Sequence, residues 1–257
     1  MADDRIAAAA AAGFAAGADA YERGRPSYPA DAVATIVDEL GIGPGTTVLD
    51  LAAGTGKMTR LLVSTGAEVV AVEPVAEMRA RLVATVPGVE VLDGTAEDIP
   101  LPDGSVDAVV VAQAFHWFDT AAALAELARV LVPGGGLALV WNKRDDREPW
   151  VAELDRLIAW DERDRYRVPY EDRGDWAERI AAVPSAFGPV RRFVTTYRQA
   201  VDADMLVDRV LSTSYVATQP AAERERVSAA VRDLVAGKGE TFDLPHRTAV
   251  YWCHKEG

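Results

Sequence analysis

Apolar residues recur along this chain with two periods, and up to about residue 142 the two alternate. Four short runs read as strands, at 47–49, 69–72, 89–92 and 106–112. The last, VDAVVVA, is nearly continuous apolar, as a strand buried on both faces should be. Helical spacing fills the gaps between them. Val33, Ile36, Val37 and Leu40 fall at i, i+3, i+4 and i+7, and Gly41 stops that helix. Met58, Leu61 and Leu62 share one face of a second helix, and 76–86 forms a third, ended by Pro87-Gly88. Leu124, Leu127 and Leu131 mark a fourth over 119–131, and Pro133 with three glycines ends it before a fifth strand at 137–141. This alternation predicts an α/β protein with a mostly parallel sheet between helices.

Beyond residue 142 the alternation stops. Residues 142–188 are charged and helical in patches, with Pro149, Pro169 and Pro184 as breaks. A long strand follows at 190–201, then helices near 203–213 and 220–236, and a closing strand at 248–253. No internal repeat and no second core is legible, so the pattern reads as one domain.

Composition narrows the chemistry. Acidic residues outnumber basic ones 40 to 27, a net charge of −13 that disfavours phosphate backbones and membrane surfaces as partners. No apolar run approaches the length of a membrane span. The single cysteine, Cys253, excludes an internal disulfide framework, and His116, His246 and His254 show no metal-ligand spacing, so no metal is expected. On one strand Cys253 and His254 point to opposite faces and do not form a catalytic pair. The alanine-rich stretch 6–20 lacks the basic and strongly apolar regions of a signal peptide and reads as a frayed tail running into a cap helix. The cytoplasm is the expected location.

The candidate site lies at VLDLAAGTGKMTR, residues 48–60. A strand ends in Asp50, a turn of small residues (Ala52, Ala53, Gly54, Thr55, Gly56) follows, and a helix begins. Small residues let backbone N–H groups approach a ligand, and the helix N-terminus adds partial positive charge. The acid before the turn argues for a ligand carrying a cationic amine. A glycine turn alone serves any strand-to-helix connection equally well. Glu73 tips the balance: it ends the second strand about 20 residues past the turn, where an acid that accepts both ribose hydroxyls is expected. A nicotinamide dehydrogenase fits poorly, because its third glycine is replaced by Thr59 and Asp50 would repel a pyrophosphate.

These stretches, with VVAVEPVAEM, GTAEDIPLPDGSVDAVVVAQAFHWFD and LARVLVPGGGLALVWN, resemble the class I S-adenosylmethionine-dependent methyltransferases. AQAFHWFD and the early RGRPSYP are most similar to the branch containing trans-aconitate methyltransferase-like enzymes. The resemblance implies a Rossmann-like, mostly parallel seven-stranded sheet with helices on both faces, an antiparallel last strand beside the fifth, and a helical lid. It divides a single methyltransferase domain into cap helices (1–45), a cofactor-binding core (46–142), a lid insertion (143–189) and C-terminal strands and helices (190–257). It implies S-adenosylmethionine as cofactor and S-adenosylhomocysteine as product. Asp50, Ala52, Gly54, Thr55 and Gly56 would hold the methionine end, with Arg25 and Tyr28 near its carboxylate. Glu73 would serve the ribose and Ala96 and Glu97 the adenine, with Pro74, Met78, Gln113 and Ala114 as further cofactor-binding residues. Many relatives carry an acid where this chain has Thr95.

The acceptor falls at the fourth strand's end, since ligands of open α/β sheets sit outside such ends. His116 is the candidate catalytic residue, as base, as orienter of the acceptor or as packing. Tyr21, His116, Trp117 and Trp141 are the candidate acceptor contacts, and their aromatic character suits a partly apolar or aromatic small molecule. Trp150, Trp160 and Trp176 read as packing. The expected activity is methyl transfer to a carboxylate or hydroxyl oxygen ahead of carbon or nitrogen. The alternative is a protein of the same fold that binds S-adenosylmethionine without methylating. Oligomeric state is left open.

Overall fold

The computed structural model describes residues 26–118, 120–158, 176–181, 186–217 and 219–256. In chain order these form α1 (Ala30–Leu40), β1 (Thr47–Leu51), α2 (Lys57–Val63), β2 (Glu68–Val72), α3 (Ala76–Thr85), β3 (Glu90–Leu92) and β4 (Val106–Ala112). There follow α4 (Thr120–Val130), β5 (Leu131–Arg144), α5 (Pro149–Leu157), α6 (Trp176–Ala181), β6 (Arg191–Val201), α7 (Ala203–Leu211), α8 (Ser214–Ala217), α9 (Ala221–Val235) and β7 (Phe242–His254).

The seven strands make one sheet in the order β3-β2-β1-β4-β5-β7-β6. β1 pairs in parallel with β2 and β4, β2 with β3, and β4 with β5. β7 runs antiparallel to β5, since Lys255 N–H donates to Gly135 O at one end and Asp145 N–H to Pro245 O at the other. The Rossmann-like sheet with its antiparallel last strand beside the fifth is therefore present.

Contacts divide the chain into two units, 27–142 with 169–195 and 248–257, and 1–26 with 143–168 and 196–247, each over its described residues. In the first unit, period-two alternation sends successive strand residues to opposite faces. Leu49, Leu51, Val109, Val111, Leu137, Leu139, Trp141 and Tyr251 join one apolar cluster with Leu124 and Leu127 of α4 and Trp176 and Ile180 of α6. Val48, Ala108, Val110, Ala138, Val140, Val250 and Trp252 join another with Ile36 and Leu40 of α1 and Met58 and Leu62 of α2. Both faces are covered, which is why the central strands are apolar throughout.

The second unit has a core of its own, in which Val151 and Leu154 of α5 pack with Leu206, Val210, Val227, Val231 and Leu244. Asp202 caps α7 by accepting from Met205 N–H at 2.7 Å. Here Trp150 meets Phe242 edge-on at 5.8 Å, with the Lys238 ammonium 4.3 Å from its ring. His246 is fully buried against Tyr197, and burial with the nearby Arg209 and Arg144 pushes its pKa down to about 2. It stays neutral, its Nδ1 donating to Leu244 O at 2.9 Å.

Two strand boundaries depart from the hydrophobic pattern. β5 begins at Leu131 rather than 137, running through Pro133-Gly134-Gly135-Gly136 with a register shift between Val106 and Ala108 of β4. Glycine is required there for close approach: a Cβ on Gly136 would lie 2.5 Å from Leu40 Cγ of α1. β7 begins at Phe242 rather than 248, because its partner β5 extends to Arg144 and supplies a pairing edge that local sequence does not reveal.

Candidate active site

Asp50, the penultimate residue of β1, is fully buried. Its Oδ2 accepts from Thr59 Oγ1 of α2 at 2.6 Å, and its Oδ1 has no partner among the described residues. Burial pushes its pKa up to about 7, and Glu73 adds repulsion against the pull of Thr59. A buried carboxylate oxygen without a donor is costly, and an ammonium group placed against it would satisfy it. An acceptor of this kind is what the ammonium group of an amino-acid-bearing cofactor such as S-adenosylmethionine needs. Thr59, passed over in the motif as a missing glycine, is the residue that orients Asp50.

The turn that follows is shaped for close approach. Ala52, Gly54 and Gly56 all take positive φ, at 57°, 58° and 87°. Gly56 is also confined by α3, since a Cβ there would lie 3.0 Å from Leu82 and Val86. Thr55 is buried and its carbonyl accepts from Thr85 Oγ1 at 3.1 Å.

Glu73 follows β2 directly and is 5% exposed. Its Oε2 accepts from Gly54 N–H and its Oε1 from Val75 N–H, each at 2.9 Å. The acid thus ties the glycine turn to the start of α3. Burial raises its pKa, although the two backbone donors and Arg79 oppose the rise. Arg79 donates to Glu73 O at 2.8 Å and makes a two-pronged pair with Asp93 at 2.9 and 3.0 Å, clamping the ends of β2 and β3 together. Pro74 is exposed beside Glu73, and Met78 is buried on α3. In the loop after β3, Ala96 is buried, Glu97 is exposed, and Thr95 exchanges backbone hydrogen bonds with Asp98.

At the end of β4, Gln113 takes a φ of +64°, a conformation that non-glycine residues rarely hold and that recurs at functional sites. Its Nε2 donates to Asn142 O at 3.1 Å. Asn142 is buried: its Nδ2 donates to Ser27 O at 3.0 Å, and its Oδ1 accepts from Thr248 Oγ1 at 2.6 Å. Sequence reading overlooked Asn142 and Thr248, which pin the segment before α1 to β5 and β7. Tyr28, on that segment, is half-buried against the cluster of α1 and α2. Asn142→Leu is expected to lose about 2–4 kcal/mol of stability, because a buried hydroxyl and a carbonyl lose their partner. Adding Thr248→Val should restore part of it; urea titration of the two variants measures both effects.

Ala114 precedes a 3₁₀ turn, Phe115–Trp117, that carries His116 and Trp117 half-buried, their rings 5.0 Å apart. Trp141 of β5 is fully buried, stacked on Trp176 at 4.9 Å, and its indole N–H donates to His116 Nδ1 at 3.3 Å. The structure thus gathers Asp50, the glycine turn, Glu73, Gln113, His116 and Trp117 at strand ends of the first unit. Trp141 lies in the core and reaches His116 from there. Tyr21 and Arg25 lie outside the described residues, as do the stretch 6–20 and Trp160.

No helix among the described residues is long and apolar enough to cross a membrane. Comparison with known proteins agrees with the geometry. A family model described as a methyltransferase domain matches residues 49–139, which contain the turn, Glu73 and His116. An uncharacterized methyltransferase of Mycobacterium tuberculosis is 46% identical over 223 residues, covering 87% of this chain and 85% of that protein. A methyltransferase-like protein of Schizosaccharomyces pombe is 36% identical over 217 residues, covering 83% and 82%. Among solved structures, the YcgJ protein of Bacillus subtilis superposes with a TM-score of 0.59 at 21% identity, covering 88% of this chain and 99% of that one, a likeness of fold. Similarity over most of the length of both chains makes this chain a member of the class I S-adenosylmethionine-dependent methyltransferases.

Proposed function

We propose that this methyltransferase acts on a small-molecule acceptor at a carboxylate or hydroxyl oxygen, as in the trans-aconitate methyltransferase-like branch that AQAFHWFD and RGRPSYP resemble. S-adenosylmethionine supplies a methyl group already activated on a sulfonium, so the protein's work is to align the acceptor and strip water. The observation that carries the cofactor assignment is Asp50, whose buried Oδ1 awaits a cationic donor beside the glycine turn. In this reading Asp50, Ala52, Gly54, Thr55 and Gly56 hold the methionine end with Arg25 and Tyr28. Glu73 accepts the ribose hydroxyls beside Pro74 and Met78, and Ala96 and Glu97 meet the adenine. Gln113 and Ala114 border the methyl group, and His116 and Trp117 meet the acceptor, with Trp141 behind them and Tyr21 on the capping segment.

A net charge of −13 supports a small-molecule acceptor over nucleic acid and favours action away from anionic membranes, in the cytoplasm. The two units are read as one methyltransferase domain, the second an elaboration of the first. The test is a panel of carboxylic acids, alcohols, phenols, amines and carbon nucleophiles incubated with labelled S-adenosylmethionine. Label in esters or ethers, with matching S-adenosylhomocysteine, is the expected result. Label confined to amines or carbon overturns the oxygen assignment. Saturable cofactor binding with no turnover on any class would make the chain a binding protein instead.

A further inference from the structure

We propose that the second unit carries a binding site for a small neutral polyol, such as a sugar, with His246 as the hydrogen-bond acceptor at its floor. The methyl-transfer reading above does not enter into it. A cavity of about 530 Å³ opens in this unit between the residues that follow β5, the C-terminal half of β6 and the first residues of β7. Asp145, Arg147, Glu148, Tyr197, Arg198 and His246 line it. Its volume is far beyond the ~30 Å³ of one water and inside the ~300–1,000 Å³ of small-ligand pockets. Arg147 and Arg198 are exposed while His246 is fully buried, so the cavity is entered past the arginines and ends at the imidazole.

The imidazole is held in one state. Its Nδ1 lies 2.9 Å from Leu244 O, and a carbonyl oxygen only accepts, so Nδ1 carries the proton. Burial, with the charges of Arg209 and Arg144, keeps the ring from taking a second proton. Nε2 therefore presents a lone pair, pointing away from the Leu244 carbonyl. The ring is fixed by stacking on Tyr197 at 4.9 Å, with 17° between the planes. Nε2 is buried and has no hydrogen-bond partner among the described residues. A buried acceptor left bare is costly, and a donor arriving through the cavity removes that cost.

The neighbours set the chemistry of that donor. An ammonium is disfavoured, because the guanidiniums of Arg209 and Arg144 already bear on His246. A carboxylate has no proton to give. A hydroxyl donates and carries no charge. The rim favours the same group. Arg147 spends Nε and Nη2 on Asp145, at 2.7 and 2.6 Å, which leaves Nη1, and Arg198 spends Nη2 on Glu148 at 3.3 Å. Two carboxylates and two guanidiniums cancel in charge, so the lining offers acceptors and donors without a net field for an ion. A molecule with several hydroxyls meets both kinds, since each hydroxyl donates and accepts.

The test titrates the whole chain, its histidine rings labelled with nitrogen-15, with glycerol, myo-inositol, ribose, glucose and galactose. The His246 signals are identified by their loss in His246→Asn, whose amide N–H can stand in for Nδ1 while the Nε2 lone pair is gone. At least one polyol should shift the unprotonated Nε2 signal saturably. Its per-O-methyl ether, which keeps every oxygen and has no O–H, should not. By calorimetry, His246→Asn should weaken binding roughly three- to tenfold, the loss of one neutral hydrogen bond. Arg198→Met, on an exposed side chain, should weaken it by a similar factor and decides the matter where the buried variant does not fold. No saturable shift with any of the five means that the cavity holds water only, and overturns the proposal. So does binding that the ether matches, or that the variants leave unchanged. Labelled S-adenosylmethionine then tells the ligand's role. Label on a hydroxyl makes the polyol the methyl acceptor, its absence makes it a second ligand, and either result upholds the site.

Discussion

Asp50→Asn is expected to raise the melting temperature of the free protein above neutral pH while weakening its binding of S-adenosylmethionine. Both effects come from one buried charge. Asp50 is fully buried with one oxygen bonded to Thr59 and the other without a donor among the described residues, and its pKa is pushed up from 3.8 to about 7. A group whose pKa rises on folding binds its proton more tightly in the native state. Its contribution to stability is complete below about pH 4, declines as pH rises, and is lost above about 7. Roughly three pH units at ~1.4 kcal/mol each give an upper bound on the order of 4 kcal/mol for the penalty at pH 8. An asparagine amide placed next to the same empty position gives back part of this, so a gain of about 2 kcal/mol is expected. Thermal melts from pH 5 to 8 should show the gap between variant and native protein widening with pH. A constant gap would mean that Asp50 ionises normally.

Cofactor binding should run in the opposite direction. If the carboxylate receives the ammonium of S-adenosylmethionine, the free protein must release a proton before binding below about pH 7. Native affinity then falls by up to about tenfold per pH unit on acidification, the slope of one proton. Asp50→Asn should bind about 10²-fold more weakly at pH 8, since a hydrogen bond between charged groups contributes ~1.5–3 kcal/mol, and should lose the pH slope. Calorimetry at three pH values measures both. Native affinity that is flat with pH removes Asp50 from the ammonium contact.

Glu73 carries the second large effect. Its two oxygens already hold Gly54 N–H and Val75 N–H at 2.9 Å each, which uses about half of the acceptor capacity of a carboxylate. The remaining lone pairs match a vicinal diol. Glu73→Ala removes the proposed ribose bonds and also frees the turn that Asp50 depends on. The expected result is a 10²–10⁴-fold loss of S-adenosylhomocysteine affinity, from two charge-assisted bonds of ~1.5–3 kcal/mol each before compensation. Glu73→Gln separates the two roles, since its amide oxygen keeps one backbone donor while the charge is gone. A 2′-deoxy analogue should bind the native protein more weakly than the parent ligand and the Gln variant nearly as well as the parent. Equal discrimination in both proteins would limit Glu73 to holding the turn.

The fold was legible wherever side-chain period reports burial directly. β4 was read at 106–112 and lies at Val106–Ala112, because both its faces are covered and nearly every position is apolar. Elements bounded by glycine or proline, such as α1 before Gly41, were read closely for the same local reason. β5 was not, because Pro133 to Gly136 look like a break in any window of sequence. Only α1, packed over those glycines, and β4, paired beside them, make the segment a strand. β7 was shortened for a related reason, since its first residues are a strand only by pairing with the extension of β5.

The same division runs through the site. By itself the sequence determined the strand, the acid, the glycine turn, the second acid and the aromatic run after the fourth strand, since these are spacings within segments that a parallel sheet must bring to one edge. Tertiary structure alone decided which atoms those residues present. Thr59 turns Asp50 so that one oxygen is left without a donor, Glu73 spends two lone pairs on the backbone, Asn142 joins Ser27 to Thr248, and Trp141 reaches His116 from the core. Hydrogen bonds depend on direction and distance between groups as far as 115 residues apart, and burial sets their strength. Neither quantity has a period along the chain.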